Sequence, residues 1–368
     1  MSKTTETSAQ TRLKVNSPAD VLAVVPYLIG FHPSDSLVVM GIGGRRFEVR
    51  FTARMDLPSL DESDDDNLGD YVADMVAAQP VREVILVAYG QEAVAVYALE
   101  SAIDALEDDN ISVREALRVH DGRYWSHVCE HPSCCPPEGT PYDVTSSEVA
   151  AAATLAGHVA LPDRATLERS IAPLGGVARA SMQQATNRAE ERFTSWADED
   201  TDTLRQRMAD EGSMQVRQAL DRYQDGEVLS DDETAWLCLL LTHLQVRDEA
   251  WLLIDEDNRD AHIALWTHLV RRADVAYVAA PACLLAFAAW QSGNGALASI
   301  AVDRALWAEP DYSMAILIAD LLQRHIPPSS WQPRLTPEEL SDLYARRDYG
   351  KKGSRGPGSM PPTPRPAP

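Results

Sequence analysis

Between Ser126 and Gly139 the chain gathers its most reactive side chains: His127, Cys129, His131, Cys134 and Cys135, followed by Pro136 and Pro137. These are soft or borderline donors, and zinc is the cofactor they admit, because it takes thiolate and imidazole ligands in a tetrahedron. The spacing departs from that of ribbons and fingers, where two ligand pairs stand roughly a dozen or more residues apart. Here there is a single knot, and adjacent Cys134 and Cys135 point in different directions along the chain. Three readings stay open: structural thiols or a disulfide from Cys129 to Cys134 or Cys135, a metal site, and inert packing. With three of five cysteines in this knot and no apolar export signal among the first fifteen residues, the expected compartment is a reducing cytoplasm.

A second candidate is the turn-rich segment Gly30-Phe31-His32-Pro33-Ser34-Asp35-Ser36, which precedes an apolar strand. His32, Asp35 and Ser36 form a ligand-binding candidate there, since polar loop residues at strand ends often carry function. A Ser–His–Asp relay needs a through-space geometry that sequence neighbours rarely reach, and a turn capped by Asp35 or Ser36 is the simpler expectation. Gly41-x-Gly43-Gly44 resembles the start of a phosphate loop. However, Arg46 stands where the third glycine belongs and a strand follows instead of a helix, so the Gly pair is read as a hairpin turn.

The elements that must position these residues follow from periodicity. Ser17-Pro18-Ala19-Asp20 starts a helix. Leu37–Met40 and the alternating Phe47–Phe51 form a hairpin, and Leu68 to Ala78 is helical. Val84–Tyr89 is a central strand buried on both faces. The next helix carries Val96, Leu99, Ile103 and Leu106, and strands follow at Ser112–Val119 and Tyr124–Trp125. This order predicts a mixed sheet flanked by helices, an α/β domain over 15–143 with the Cys-rich loop at 127–137. From 144 to 345 the pattern is helical, with capping boxes at Ser230–Glu233 and Thr336–Glu339 and an apolar stripe of Met314, Leu317, Ile318, Leu321 and Leu322. Within it, Gly293, Ala298, Ala305 and Pro310 match the second half of one tetratricopeptide unit. No second copy follows, which predicts a helical hairpin in a bundle, not an array. Trp236, Trp251, Trp266, Trp290, Trp307 and Trp331 are core candidates, any exposed one being a partner anchor. A polar leader (1–14) and a basic Pro/Gly tail (346–368) are expected to be disordered.

Across 368 residues, 56 Asp+Glu outweigh 33 Lys+Arg, a formal net charge of −23. Such a surface repels phosphate backbones and anionic lipid, so neither a nucleic acid nor a membrane is an expected partner. The longest apolar run, Val275–Trp290, is too short and too interrupted by Pro281 to span a bilayer and reads as a buried helix.

Several segments together resemble an actinobacterial family of unknown function. They are Pro26–Val38 (PYLIGFHPSDSLV), Asp121–Ser126 (DGRYWS), Cys134–Pro141 (CCPPEGTP), Val246–Trp251 (VRDEAW) and Ala286–Ala298 (AFAAWQSGNGALA). The likeness runs from about Leu13 to Pro328. It implies an intracellular bacterial protein in which Cys129, Cys134 and Cys135, but not His127 and His131, belong to the pattern. It brings no activity with it. The expected function is therefore binding of a protein or peptide partner by the helical half. The alternatives are a small-ligand or enzymatic site at His32–Ser36, and metal or redox sensing through the three cysteines.

Overall fold

The computed structural model describes residues 17–44, 48–58, 68–129, 131, 134–144, 147–156 and 159–351. The expected leader, the acidic run Asp61–Asp66, Phe47 and the tail beyond 351 lie outside the described residues.

The chain opens with α1 (Pro18–Ile29), whose N-cap Ser17 accepts the Asp20 N–H and which stops at Gly30 in a left-handed conformation, φ 88°. Two strands follow, β1 (Ser36–Gly43) and β2 (Glu48–Asp56), then α2 (Leu68–Ala77), β3 (Glu83–Tyr89), α3 (Glu92–Asp108), β4 (Ser112–His120), β5 (Arg123–Ser126) and the two-residue β6 (Thr140–Pro141). They form one six-stranded sheet in the order β2-β1-β3-β4-β5-β6. Only β3 and β4 run parallel, joined through α3; the other neighbours are antiparallel. This is the mixed sheet that the strand and helix order predicts.

Gly41 lies inside β1, paired with Phe51 on one side and Val84 on the other. A Cβ there would come within 2.0 Å of the Phe51 ring, so this glycine exists for close cross-strand packing and not for a phosphate. Gly44, at φ 75°, supplies the hairpin turn.

Alternation along the strands divides the interior into two layers. Leu37, Val39, Val84, Leu86, Ala88 and Ala116 face one side, where α2 and α3 cover them with Val72, Val76, Leu99 and Leu106. Val38, Met40, Val87, Tyr89, Leu117 and Val119 face the other. There they join α1 and much of the helical half in one hydrophobic cluster that reaches Ile318, while Met182, Trp196 and Trp236 centre a separate, smaller one. The change of composition near residue 144 therefore does not interrupt the core.

The helical half begins with α4 (Glu148–Leu155), α5 (Arg164–Ser170), α6 (Gly176–Thr194) and α7 (Thr201–Gln224). It continues with α8 (Asp231–Leu240), α9 (Leu244–Leu252), α10 (Arg259–Arg272), α11 (Ala279–Gln291), α12 (Gly295–Ala308), α13 (Ser313–Gln323) and α14 (Pro337–Lys351). The Ser230–Glu233 capping box is formed in full, and Thr336 and Glu339 exchange the corresponding bonds ahead of α14. The last helix runs to Lys351, past the boundary expected at 345.

Of the apolar run Val275–Trp290, the part from Ala279 becomes α11, buried along its length up to Trp290, whereas Val275–Tyr277 form a separate 3-10 turn in which Val275 is exposed. Gly293, at φ 81°, turns the chain, and Asn294 caps α12 by accepting the Leu297 N–H. The two helices pack against each other as the predicted hairpin. Trp236, Trp266 and Trp290 are buried, whereas Trp307 is 69% exposed. No described helix is long and apolar enough to cross a membrane.

Candidate functional site

The cysteine loop leaves the sheet at the end of β5 and returns to it at β6. Its near end is fixed by Ser126, whose hydroxyl donates to Glu115 Oε1 at 2.7 Å and accepts the backbone N–H groups of Val128 (3.3 Å) and Cys129 (3.0 Å). Its far end is fixed by Trp125. The indole N–H donates to Pro137 O at 3.0 Å, and the ring lies beneath the Arg118 guanidinium, 3.7 Å from its centroid. Gly139, at φ 79°, sits on the same ring, where a Cβ would approach within 2.5 Å. Arg123 donates to the carbonyls of Glu138 (3.2 Å) and Gly139 (2.7 Å). DGRYWS and CCPPEGTP, separate as stretches of sequence, are thus one interlocked unit.

Between these anchors the chain folds back on itself. The N–H groups of Cys134 and Cys135 both donate to His131 O, at 3.1 and 2.9 Å. The turn brings three sulfurs together. Cys129 Sγ is 3.2 Å from Cys134 Sγ, Cys135 Sγ is 3.9 Å from Cys134 Sγ, and all three lie within 4.8 Å of one another. Cys134 is exposed and the other two are half-buried.

Such proximity makes the three thiols share protons. Hydrogen bonds from Cys135 first, then from the His131 backbone and Cys134, hold the Cys129 thiol below its ordinary range. Its hydrogen bond to Cys129 is the first reason that Cys134 is raised and that Cys135 is pushed up to about 12. Of the three, Cys129 is therefore the thiol that gives up its proton most readily.

Sulfurs bound to one zinc at about 2.3 Å stand about 3.8 Å apart; the Cys134–Cys135 separation of 3.9 Å matches this, and the Cys129–Cys134 separation of 3.2 Å would have to widen slightly for the three to share one soft cation. The donor set is narrower than the five residues of the sequence. Neither His127 nor His131 shares the three-sulfur group. His127 continues the strand, its N–H donating to Ala116 O, and its ring is half-buried; burial, then Arg118, lowers its basicity. Glu115, Arg118, Ser126, Trp125 and Gly139 support the loop without being readable as such. Glu115 and Arg118 lie on β4, Trp125 and Ser126 on β5, and Gly139 just ahead of β6, and only the sheet register brings them together.

The other two cysteines, Cys238 and Cys283, are buried in the helical core, where burial raises both thiols. They lie apart from the three-sulfur group.

The His32–Ser36 loop is built differently. Ser36 is fully buried; its hydroxyl donates to Ser34 O at 2.5 Å and accepts from Arg54 Nε at 2.8 Å. Its single proton is therefore spent on backbone and is not offered to an imidazole. His32 is exposed, and its backbone N–H is bonded to Leu161 O. Asp35 adopts a left-handed φ of 43° and uses its carbonyl to accept the Leu57 N–H. These bonds describe a structural turn that ties the start of β1 to the end of β2.

A buried mixed sheet under helices, with an interlocked loop presenting three thiols at its edge, defines an α/β protein with an exposed thiol centre. The family model described as a domain of unknown function (DUF4192) matches residues 18–329, and the chain belongs to that family. No curated protein and no solved structure matches it.

Proposed function

We propose that this protein is a soft-metal-binding protein whose centre is Cys129, Cys134 and Cys135, with zinc as the cation that the donors suit best. The observation that carries this reading is the convergence of three sulfurs within 4.8 Å on a loop held at both ends. Three sulfurs complete three corners of a tetrahedron and leave the fourth to a ligand from outside the set, the arrangement of a site that exchanges ligands. The net charge of −23 favours cation approach to the exposed loop. The reducing cytoplasm expected from the sequence would keep the thiols available.

The test is native mass spectrometry with elemental analysis on full-length chain purified anaerobically without a His tag. Stoichiometric metal is expected, lost in Cys129→Ser and Cys134→Ser but kept in Cys238→Ser, with circular dichroism unchanged. Metal-free chain with five free thiols that also rejects added zinc or cobalt would overturn the reading.

A second reading keeps the helical half as a surface for a protein or peptide partner. It is favoured by Trp307 at 69% exposure on the α11–α12 hairpin and by Leu317 at 63% on α13, since exposed Trp is a frequent anchor. Cross-linking with mass spectrometric identification should give a partner whose capture is lost in Trp307→Ser. Equal capture by that variant would remove the anchor role.

A further inference from the structure

The thiol centre is also placed to be switched by oxidation. We propose that a peroxide-class oxidant joins Cys129 to Cys134 in an intramolecular disulfide and thereby expels the bound metal. The expulsion rests on the reading of the sulfurs as metal ligands given above, whereas the choice of pair rests on geometry alone.

Cys129 Sγ and Cys134 Sγ stand 3.2 Å apart, against 3.9 Å for Cys134 and Cys135. A disulfide needs about 2.0 Å, so the first pair has about an ångström to close, while bonding between sequence neighbours would strain the intervening peptide. Cys134 is exposed to a diffusing oxidant. Cys238 and Cys283 are 2% and 0% exposed and cannot compete for it. The backbone on both sides is already pinned, by Ser126 on Cys129 and by His131 O on Cys134 and Cys135.

In the reaction, the exposed Cys134 sulfur gives its proton to solvent and attacks one peroxide oxygen. The O–O bond breaks, hydroxide leaves, and Cys134 becomes a sulfenic acid. The Cys129 thiolate then attacks that sulfur, forming the S–S bond and releasing a second hydroxide. The two sulfurs supply two electrons, and two protons from solvent convert the hydroxides to water. Of the three sulfurs that would hold a cation, only Cys135 would remain available, so a bound metal would be released. A dithiol reductant reverses the step by returning two electrons to the disulfide.

The experiment uses full-length chain as purified, assayed for metal, then treated anaerobically with one equivalent of hydrogen peroxide. A chromogenic chelator reports released metal, and peptide mass spectrometry after alkylation maps the thiols. The expected result is stoichiometric metal loss with a Cys129–Cys134 disulfide, Cys135 still alkylatable, and rebinding of metal after dithiol treatment. Cys135→Ser should still form the disulfide, whereas Cys134→Ser should not. A disulfide to Cys135, a bond between two chains, or Cys134 oxidised only to sulfinic acid would each overturn the proposal. Metal retained after the disulfide forms would overturn it while leaving the metal-binding function standing. A chain that carries and accepts no metal would overturn both.

Discussion

His262 is fully buried in α10, with its Nδ1 accepting the Trp266 indole N–H at 3.0 Å. Burial is the main reason that its pKa is lowered to about 4, whereas an unfolded chain protonates histidine near the ordinary value of about 6.5. The folded pKa is depressed, so the stabilisation is complete above about pH 6.5. It falls as the unfolded state takes up its proton and levels off once pH drops below about 4. Across that window the loss is about 3 kcal/mol at most. His262→Gln keeps an acceptor for Trp266 but cannot titrate. Its urea-derived stability is expected to fall clearly less than the parent's between pH 7 and pH 4.5. Equal falls would show that His262 does not carry this pH dependence. His268, also lowered to about 4 chiefly by burial, adds in the same direction. The thiols were legible as residue types, because a Cys/His knot is visible in one line of sequence. Which donors converge was not legible, because that depends on Trp125 lying under Arg118 of the neighbouring strand and against Gly139 at the end of the loop.

Helix pairs show where a missing side chain decides the packing. Gly69 on α2 meets α3 so closely that a Cβ would lie 2.3 Å from the Ser101 carbonyl oxygen. Backbone cannot swing aside as a side chain can, so Gly69→Ala must push the helices apart. It should lose about 1–3 kcal/mol despite the better helix propensity of alanine. Gly295→Ala is the matched control: it opens α12 with nothing within 4 Å of its Cβ position and should be neutral or slightly stabilising. Chemical denaturation of both variants decides the matter, and an unchanged midpoint for Gly69→Ala would refute the tight crossing. The elements themselves were largely readable. β3 was marked by a continuous apolar run, α8 by its capping box and α13 by its stripe. The α2–α3 crossing was not, because a glycine inside a helical pattern does not reveal which carbonyl stands opposite it.

At the scale of the molecule, the shared core outweighs the change in composition near residue 144. Val38, Met40, Val87, Leu117 and Val119 belong to the same hydrophobic cluster as Leu265, Trp266 and Phe287. A sheet deprived of that cover would expose an apolar face. Unfolding is therefore expected as one cooperative transition, with probes placed in the sheet and in the helical half sharing a midpoint. Two separated midpoints, or a well-behaved soluble fragment ending near residue 143, would show that the halves are independent. The sequence marks β3 as buried on both faces, but it does not name the helices that cover each face, since apolar runs carry no address.

The short strand that closes the thiol loop also settles how the sheet ends. β6 is only Thr140 and Pro141, and Pro141 has no N–H to offer a further strand. At the opposite margin, β2 carries Glu48, Arg50, Arg54 and Asp56, joined in the ion pairs Arg50–Glu48 and Arg54–Asp56. Both margins thus discourage a second chain from adding itself to the ladder. Encounters between copies of this protein, even when concentrated, are steered away from strand addition and toward side-chain contacts alone.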